Sequence, residues 1–246
     1  MPYIYVYMAY SYGPSIAKDG LVLALDAANR KSYPGSGTVW SDLTGNGRTG
    51  SLVNGPTFDA ANGGGIVFDG SNDFGYVSST FPSYTNFTVS FWIKINTTAL
   101  HRGIFCIKNS ADSADYTNGN YAIHTLTGGY FGFEANELFA GNTSKNNTVI
   151  NNTISHCTVV CNQTNLLTTY YLNGVADGTQ VMTATVTFSD HNLLFLGCRQ
   201  YNTTGLVNVQ NQLTGTVYSY NFYNRALSAS EVLQNYNATK GRYGLA

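Results

Sequence analysis

Residues 87–95 read FTVSFWIKI, and this run decides the fold. Phe87, Val89, Phe91, Ile93 and Ile95 alternate with Thr88, Ser90, Trp92 and Lys94. Successive strand side chains point to opposite faces, so the run predicts a long strand with one face in mid-core. The second face reads as partly open, leaving Trp92 as either a packing residue or a platform for a ligand.

Outward from that strand, similar runs recur at Leu21–Leu25, Gly65–Phe68, Gly103–Ile107, Tyr121–Leu126, Tyr130–Glu134, Ile154–Cys161, Thr168–Leu172, Ala184–Phe188, Leu193–Leu196 and Gly215–Phe222. Turn residues separate them, among them Asn54-Gly55-Pro56, Gly63-Gly64-Gly65 and Gly128-Gly129. Asn173-Gly174 after TTYYL predicts a tight hairpin, because a type I′ turn needs positive φ at both central residues. Many short strands with frequent turns predict an all-β, two-sheet antiparallel sandwich or jelly roll. One short C-terminal helix is signalled by LSASEVLQNYNATKG, where Ser228 and Glu231 have capping-box spacing and Leu227 and Val232 sit at the staple positions. Val232, Leu233 and Tyr236 form its apolar stripe, and Gly241 is placed to end it.

Composition narrows the function. Of 246 residues only 10% are charged, against roughly 25% in an average domain. The formal net charge of −1 comes from 12 Lys+Arg and 13 Asp+Glu. Scattered cations at that density give no footprint for nucleic acid or for an anionic membrane, so neither is an expected partner. No apolar run approaches the roughly 20 residues of a membrane-spanning helix. In place of charge stand 27 Asn, 28 Thr, 19 Ser and 26 Gly, a neutral polar surface suited to an extracellular setting or a packed assembly. Eight Asn-x-Ser/Thr sequons occur, but this composition yields about five by chance, so they do not mark a glycoprotein.

The first residues, MPYIYVYMAYSYG, lack the basic and aliphatic regions of a signal peptide. They alternate instead, and Tyr3, Tyr5, Tyr7, Tyr10 and Tyr12 are candidate subunit contacts. Residues 1–16 are either the first strand of the fold or an arm that adds to a neighbouring subunit. Of the four cysteines, Cys157 and Cys161 share a strand face about 13 Å apart, too far to bond. The cysteines read as small core residues, with a cross-strand bridge such as Cys106–Cys198 as the alternative.

GLVLALDAANRKSYPGSGTVWSDLTGNG, GGGIVFDGSNDFGYV, FTVSFWIKI, YYLNG and YNFYNRALSASEVLQNYNATKGRYG follow in that order. Together they resemble the laminin-G-like branch of the concanavalin A-like lectin/glucanase superfamily, in the version found in structural proteins of tailed bacteriophages. The resemblance runs from about Lys18 to Gly244, making 17–246 one laminin-G-like jelly-roll domain and 1–16 an extra. It implies two antiparallel sheets of about 12–14 strands in all. Members bind sugars, bind proteins or hydrolyse glycans, so the site must choose.

Hydrolysis is not expected. Two carboxyls must flank the scissile bond, and relatives that hydrolyse present them as Glu-x-Asp-x-Glu on one strand. Only Glu134, Glu137 and Glu231 occur; Glu231 belongs to the helix cap, and Glu134 and Glu137 are three apart, on opposite strand faces. Asp112 and Asp115 are likewise three apart, in a loop. His101, His124, His156 and His191 are scattered, each reading as a strand or loop residue. Some relatives hold a structural calcium, for which Asp26 and Asp42 match loosely, but Tyr218, Ser219 and Tyr220 stand where an acid is wanted. Asp69, Asn72 and Asp73 read as a turn. No catalytic, metal or cofactor residue is therefore assigned; structural calcium is the one cofactor the resemblance allows. Sugar-binding residue types collect in the loops 112–120, 142–152 and 200–211.

The resulting expectation is a non-enzymatic structural protein of a phage virion, a capsid decoration, fibre or tail component. It would form homo-oligomers and contact other virion proteins. The alternative is a carbohydrate-binding adhesion module for host or environmental glycans.

Overall fold

Why the chain forms a sandwich is visible in its central strand pairs. The computed structural model describes residues 15–99, 101–111, 120–135, 143–145, 148, 150–185, 191–199 and 209–245. Its strands are β1 (Leu21–Asp26), β2 (Val39–Trp40), β3 (Gly50–Val53), β4 (Thr57–Asp59), β5 (Gly65–Asp69), β6 (Phe74–Phe81), β7 (Asn86–Ile95) and β8 (Gly103–Lys108). They continue as β9 (Tyr121–Leu126), β10 (Tyr130–Glu134), β11 (Thr143–Lys145), β12 (Ser155–Asn162), β13 (Leu167–Leu172), β14 (Val175–Val181), β15 (His191–Leu196) and β16 (Thr214–Tyr223). One helix, α1 (Ala229–Thr239), runs into a 3-10 turn at Lys240–Tyr243.

One sheet has the order β14-β13-β12-β7-β16-β5-β4, with β1 also paired to β16; the other has the order β11-β10-β9-β8-β15-β6-β3-β2. Among the described residues every strand pair is antiparallel. Among the described residues there are sixteen strands, more than the 12–14 the resemblance implies; the predicted runs omit the short β2, β3, β4 and β11 and also β6 and β14, whose Gly, Ser, Thr, Asp and Gln residues blur the apolar alternation. Of the expected strand 184–188, residues 184 and 185 are not in a strand, and 186–188 lie outside the described residues.

The core lies between the sheets. Phe87, Val89, Phe91, Ile93 and Ile95 of β7 are fully buried in it, facing Phe105, Ile107, Ile123, Phe131, Phe133, Leu194 and Leu196. Phe87 stacks on Tyr121 of the opposite sheet with centroids 4.4 Å apart. Two buried tyrosines bridge the sheets with their hydroxyls: Tyr220 donates to the Ile104 carbonyl at 2.8 Å, and Tyr170 accepts from the Phe133 N–H at 2.9 Å. Tyrosine here fills apolar volume while its polar end finds a partner. Cys157 and Cys161 join this core, Cys106 and Cys198 a second apolar cluster, and no disulfide joins the four. The cross-strand bridge therefore does not form.

The expected half-open second face of β7 is closed. Thr88, Ser90 and Trp92 are buried because α1 and the 3-10 turn lie across this outer face. The Thr88 hydroxyl donates to the Arg225 carbonyl and accepts from the Leu227 N–H, which fixes where the chain turns into α1. Along the helix Val232 is buried, but Leu233 is 43% exposed and the buried polar residue is Asn235. Asn235 accepts from the Ala17 N–H and donates to the Tyr223 hydroxyl, tying the entering chain to the last strand. Gly241 lies inside the 3-10 turn, and Gly244, at φ +70°, supplies the left-handed stop.

Candidate functional site: a cleft beside the C-terminal helix

A cleft opens on the same outer face, where β1, β16 and the end of α1 meet. It encloses about 560 Å³, within the size range of small-ligand pockets. β1 contributes Leu21, Ala24 and Asp26; β16 contributes Ser219 and Asn221; α1 contributes Ala238 and Thr239. The entering segment adds Ser15, Ile16 and Lys18, and the loop after β2 adds Leu43 and Thr44. A bulge opposes Ser219 to Trp92 directly after Val217 opposes Ile93. It turns Tyr218 and Ser219 both outward while Tyr220 returns to the core, as bulges do when they re-aim a side chain.

Hydroxyls and amides dominate the polar lining. Ser219 and Asn221 make no side-chain hydrogen bond to the protein among the described residues. The acids are engaged. Asp26 holds Arg242 through two bonds of 2.8 and 3.0 Å and also accepts from the Ala28 N–H. Asp42 accepts from the N–H groups of Ala24 and Thr44 and from the Thr44 hydroxyl. These two carboxylates, the loose match to a calcium site, serve internal donors instead. Asp69 and Asp73 close a turn: Asp73 accepts from the Asp69 N–H and Asp69 from the Ser71 N–H.

Trp92, 1% exposed, forms the cleft's buried neighbour rather than a ligand platform. Its ring lies 4.2 Å from Tyr243 and 5.8 Å from Tyr236, and its N–H donates to the Thr239 hydroxyl at 2.7 Å. His156 lies 5.1 Å from the indole, its Nε2 2.8 Å from the Ser90 hydroxyl, and burial pushes its pKa down to about 3. Ser228 caps α1, accepting from the Glu231 N–H while Glu231 accepts from the Ser228 N–H. Hydrogen bonding to the Arg225 guanidinium holds the Glu231 carboxyl down to about 2.

The histidines are less scattered than their sequence positions. His101 and His124 meet Glu134 and Arg199 on the other sheet's outer face, from four separate segments. Register explains it: Gly103 pairs with His124, and Ala122 with Glu134. Gly103 is required there, since a Cβ would lie 2.1 Å from the Cys198 carbonyl carbon, and that approach sets Arg199 beside His101. Burial, then the charge of Arg199, lowers the His101 pKa; burial, then Arg199 and His101, lowers that of His124 further. His191 packs edge-on against Tyr121. The sequence reading missed this group because strand pairing, not spacing, assembles it; the signal present was the alternation that puts Ala122 and His124 on one face.

Several sequence candidates lie outside the described residues: Tyr3, Tyr5, Tyr7, Tyr10 and Tyr12, Asp112, Asp115 and Glu137, and most of the three polar loops. Among the described residues no helix is long and apolar enough to cross a membrane.

Residues 68–233 match the family described as the concanavalin A-like lectin/glucanases superfamily, laminin G type. No curated protein sequence matches the chain. Among solved structures, the binding domain of Paraclostridial Mosquitocidal Protein 1 is 21% identical with a TM-score of 0.61, covering 90% of this chain and 52% of that one. The binding domain of botulinum neurotoxin DC in complex with rat synaptotagmin II is 13% identical, with a TM-score of 0.63 over 92% of this chain and 52% of that one. The same domain in complex with SialylT is 12% identical, with a TM-score of 0.62 over 90% and 52%. The chain thus spans about half the length of these binding domains, and the likeness shows the fold.

Proposed function

Because the chain belongs to the concanavalin A-like lectin/glucanase superfamily, we propose that it is a non-catalytic carbohydrate-binding module with its ligand site in the cleft between β1, β16 and α1. The cleft carries this reading. It is of ligand size, Ser219 and Asn221 offer it neutral polar groups beside the cation Lys18, and Leu21, Ala24 and Leu43 offer apolar surface for a sugar's C–H face. Catalysis finds little to work with: Asp26 is locked to Arg242, Glu231 to Arg225, and Glu134 stands within 3.2 Å of Arg199. The binding roles printed for the toxin domains agree with a recognition function for the fold, but belong to those proteins. A glycan array with the full chain tests the reading. Consistent hits should fall at least about tenfold in affinity with Asn221→Ala and Ser219→Ala, since each removes a hydrogen bond to a neutral ligand. An array without hits overturns it, and hits untouched by both changes move the site elsewhere.

A second proposal is a structural role in a tailed-phage virion, with homo-oligomeric contacts and contacts to other virion proteins. It rests on the sequence resemblance, the neutral surface and the Tyr-rich residues 1–16, whose described end, Ser15 and Ile16, borders the cleft. Deleting residues 1–14 should abolish incorporation into particles while the domain keeps its melting temperature. Full occupancy of the truncated chain, read by mass spectrometry of purified particles, refutes the arm.

A further inference from the structure

The four-residue group on the other sheet has a geometry that the cleft reading does not use. Among the described residues it is the one place where three metal-ligating side chains converge. Glu134 Oε2 is the focus: His124 Nε2 lies 3.5 Å away, His101 Nδ1 3.9 Å and Arg199 Nη1 3.2 Å. All three ligand atoms fall within 4.8 Å of one another. Bonds of about 2.0–2.1 Å in a tetrahedral site place ligand atoms about 3.4 Å apart. The His124–Glu134 pair already meets that spacing, and His101 needs a small shift. Its side chain is 38% exposed, so it has room to move, and the half-open side leaves a position for water.

His124 points to a missing ligand independently. Its side chain is fully buried, and neither ring nitrogen has a hydrogen-bond partner. An imidazole buried for packing alone leaves two polar atoms desolvated without compensation. His101 is prepared as well. Arg199 is always a donor, so its 2.8 Å bond to His101 Nδ1 leaves that nitrogen unprotonated, the state a metal ligand needs.

We propose that His101, His124 and Glu134 bind a divalent first-row transition metal of the Zn²⁺ type, with Arg199 as the internal cation that the metal displaces. Two imidazoles and one carboxylate are borderline donors; they select zinc-like ions over Ca²⁺ and Mg²⁺, which want oxygen. The guanidinium now neutralises Glu134 from the metal's side, and a dication arriving between the imidazoles repels it.

The test is titration of Zn²⁺ into the chelator-stripped full chain against a chromophoric competitor, with Co²⁺ absorption reporting the ligand field. One equivalent should bind. Glu134→Gln and His101→Ala should weaken binding at least about 100-fold, at or beyond the upper end of losses seen for outer-shell partners. His101→Ala alters a half-exposed side chain and should keep the unfolding temperature of the metal-free chain. Arg199→Gln should tighten binding at least about tenfold, because it removes a unit positive charge beside the ion. No binding by either the wild type or Arg199→Gln overturns the site. So does Zn²⁺ binding that His101→Ala and Glu134→Gln both leave unchanged, or equal affinity for Ca²⁺.

Discussion

The two outer faces of the sandwich solve one problem with different chemistry. Both are buried. The face of β7, β12 and β16 is covered by α1 and the 3-10 turn, and its polar groups are mostly neutral and paired: Thr88 to Arg225 and Leu227, Thr158 to Ser90, Ser90 to His156. The face of β8, β9, β10 and β15 places Cys106, Ala122, Phe195 and Cys198 beside His124, Glu134 and Arg199. A hydroxyl ladder satisfies itself locally. A buried histidine, carboxylate and guanidinium depend on mutual geometry, and truncating one exposes the others to an uncompensated charge. The first arrangement is held by hydroxyl and amide pairs, and the second leaves both His124 ring nitrogens without a hydrogen bond among the described residues.

The largest expected effect breaks the face that α1 covers. Trp92→Ala should cost about 3–5 kcal/mol in denaturant unfolding, because the indole supports Tyr236, Tyr243 and His156 together. A loss under 1 kcal/mol would mean that α1 does not depend on that face. On the other face Gly103→Ala should cost about 1–3 kcal/mol, since the methyl meets backbone of Cys198 and Arg199 rather than a movable side chain. It should also weaken Zn²⁺ binding at the proposed site by shifting His101 away from His124, which Gly103 faces across the strand pair, an outcome Trp92→Ala should not share.

Acid sharpens the contrast. The folded pKa of His156, about 3, lies below its unfolded value of about 6.5. Between those values the unfolded chain binds the extra proton, so stability is lost as pH falls from about 6.5 to about 3 and the loss levels off below. In His156→Gln this part of the pH dependence of unfolding should vanish; an unchanged profile would assign it to other groups. The smallest effect is at the helix start, where Ser228→Ala should cost about 1 kcal/mol by removing the cap of the Glu231 N–H.

Features set by neighbours in sequence were legible. The period of β7, the capping box and the Asn173-Gly174 turn, with φ of 51° and 81°, each depend on residues within one element. What failed needed knowledge of what lies across a face. Trp92 read as half open because the segment that covers it begins 137 residues later, at Ala229. Leu233 read as core because a helical stripe does not say where its edge falls, and Asn235 took the buried place through bonds to Tyr223 and Ala17. The group at His101, His124, Glu134 and Arg199 was invisible for the same reason at larger scale, since three strand registers and one glycine bring it together.

The pairing of β1 with β16 governs how this fold is made. Leu21 stands opposite Tyr223, so the sheet's first strand has its described partner only after some 200 further residues. Such long-range pairing makes ring closure the slow entropic step and favours folding in ms–s rather than µs. Until that partner emerges from the ribosome, β1 presents LVLALD as an unpaired apolar edge. Translation arrested before residue 214 should therefore yield a protease-sensitive chain, whereas the full-length chain released from the ribosome should be resistant.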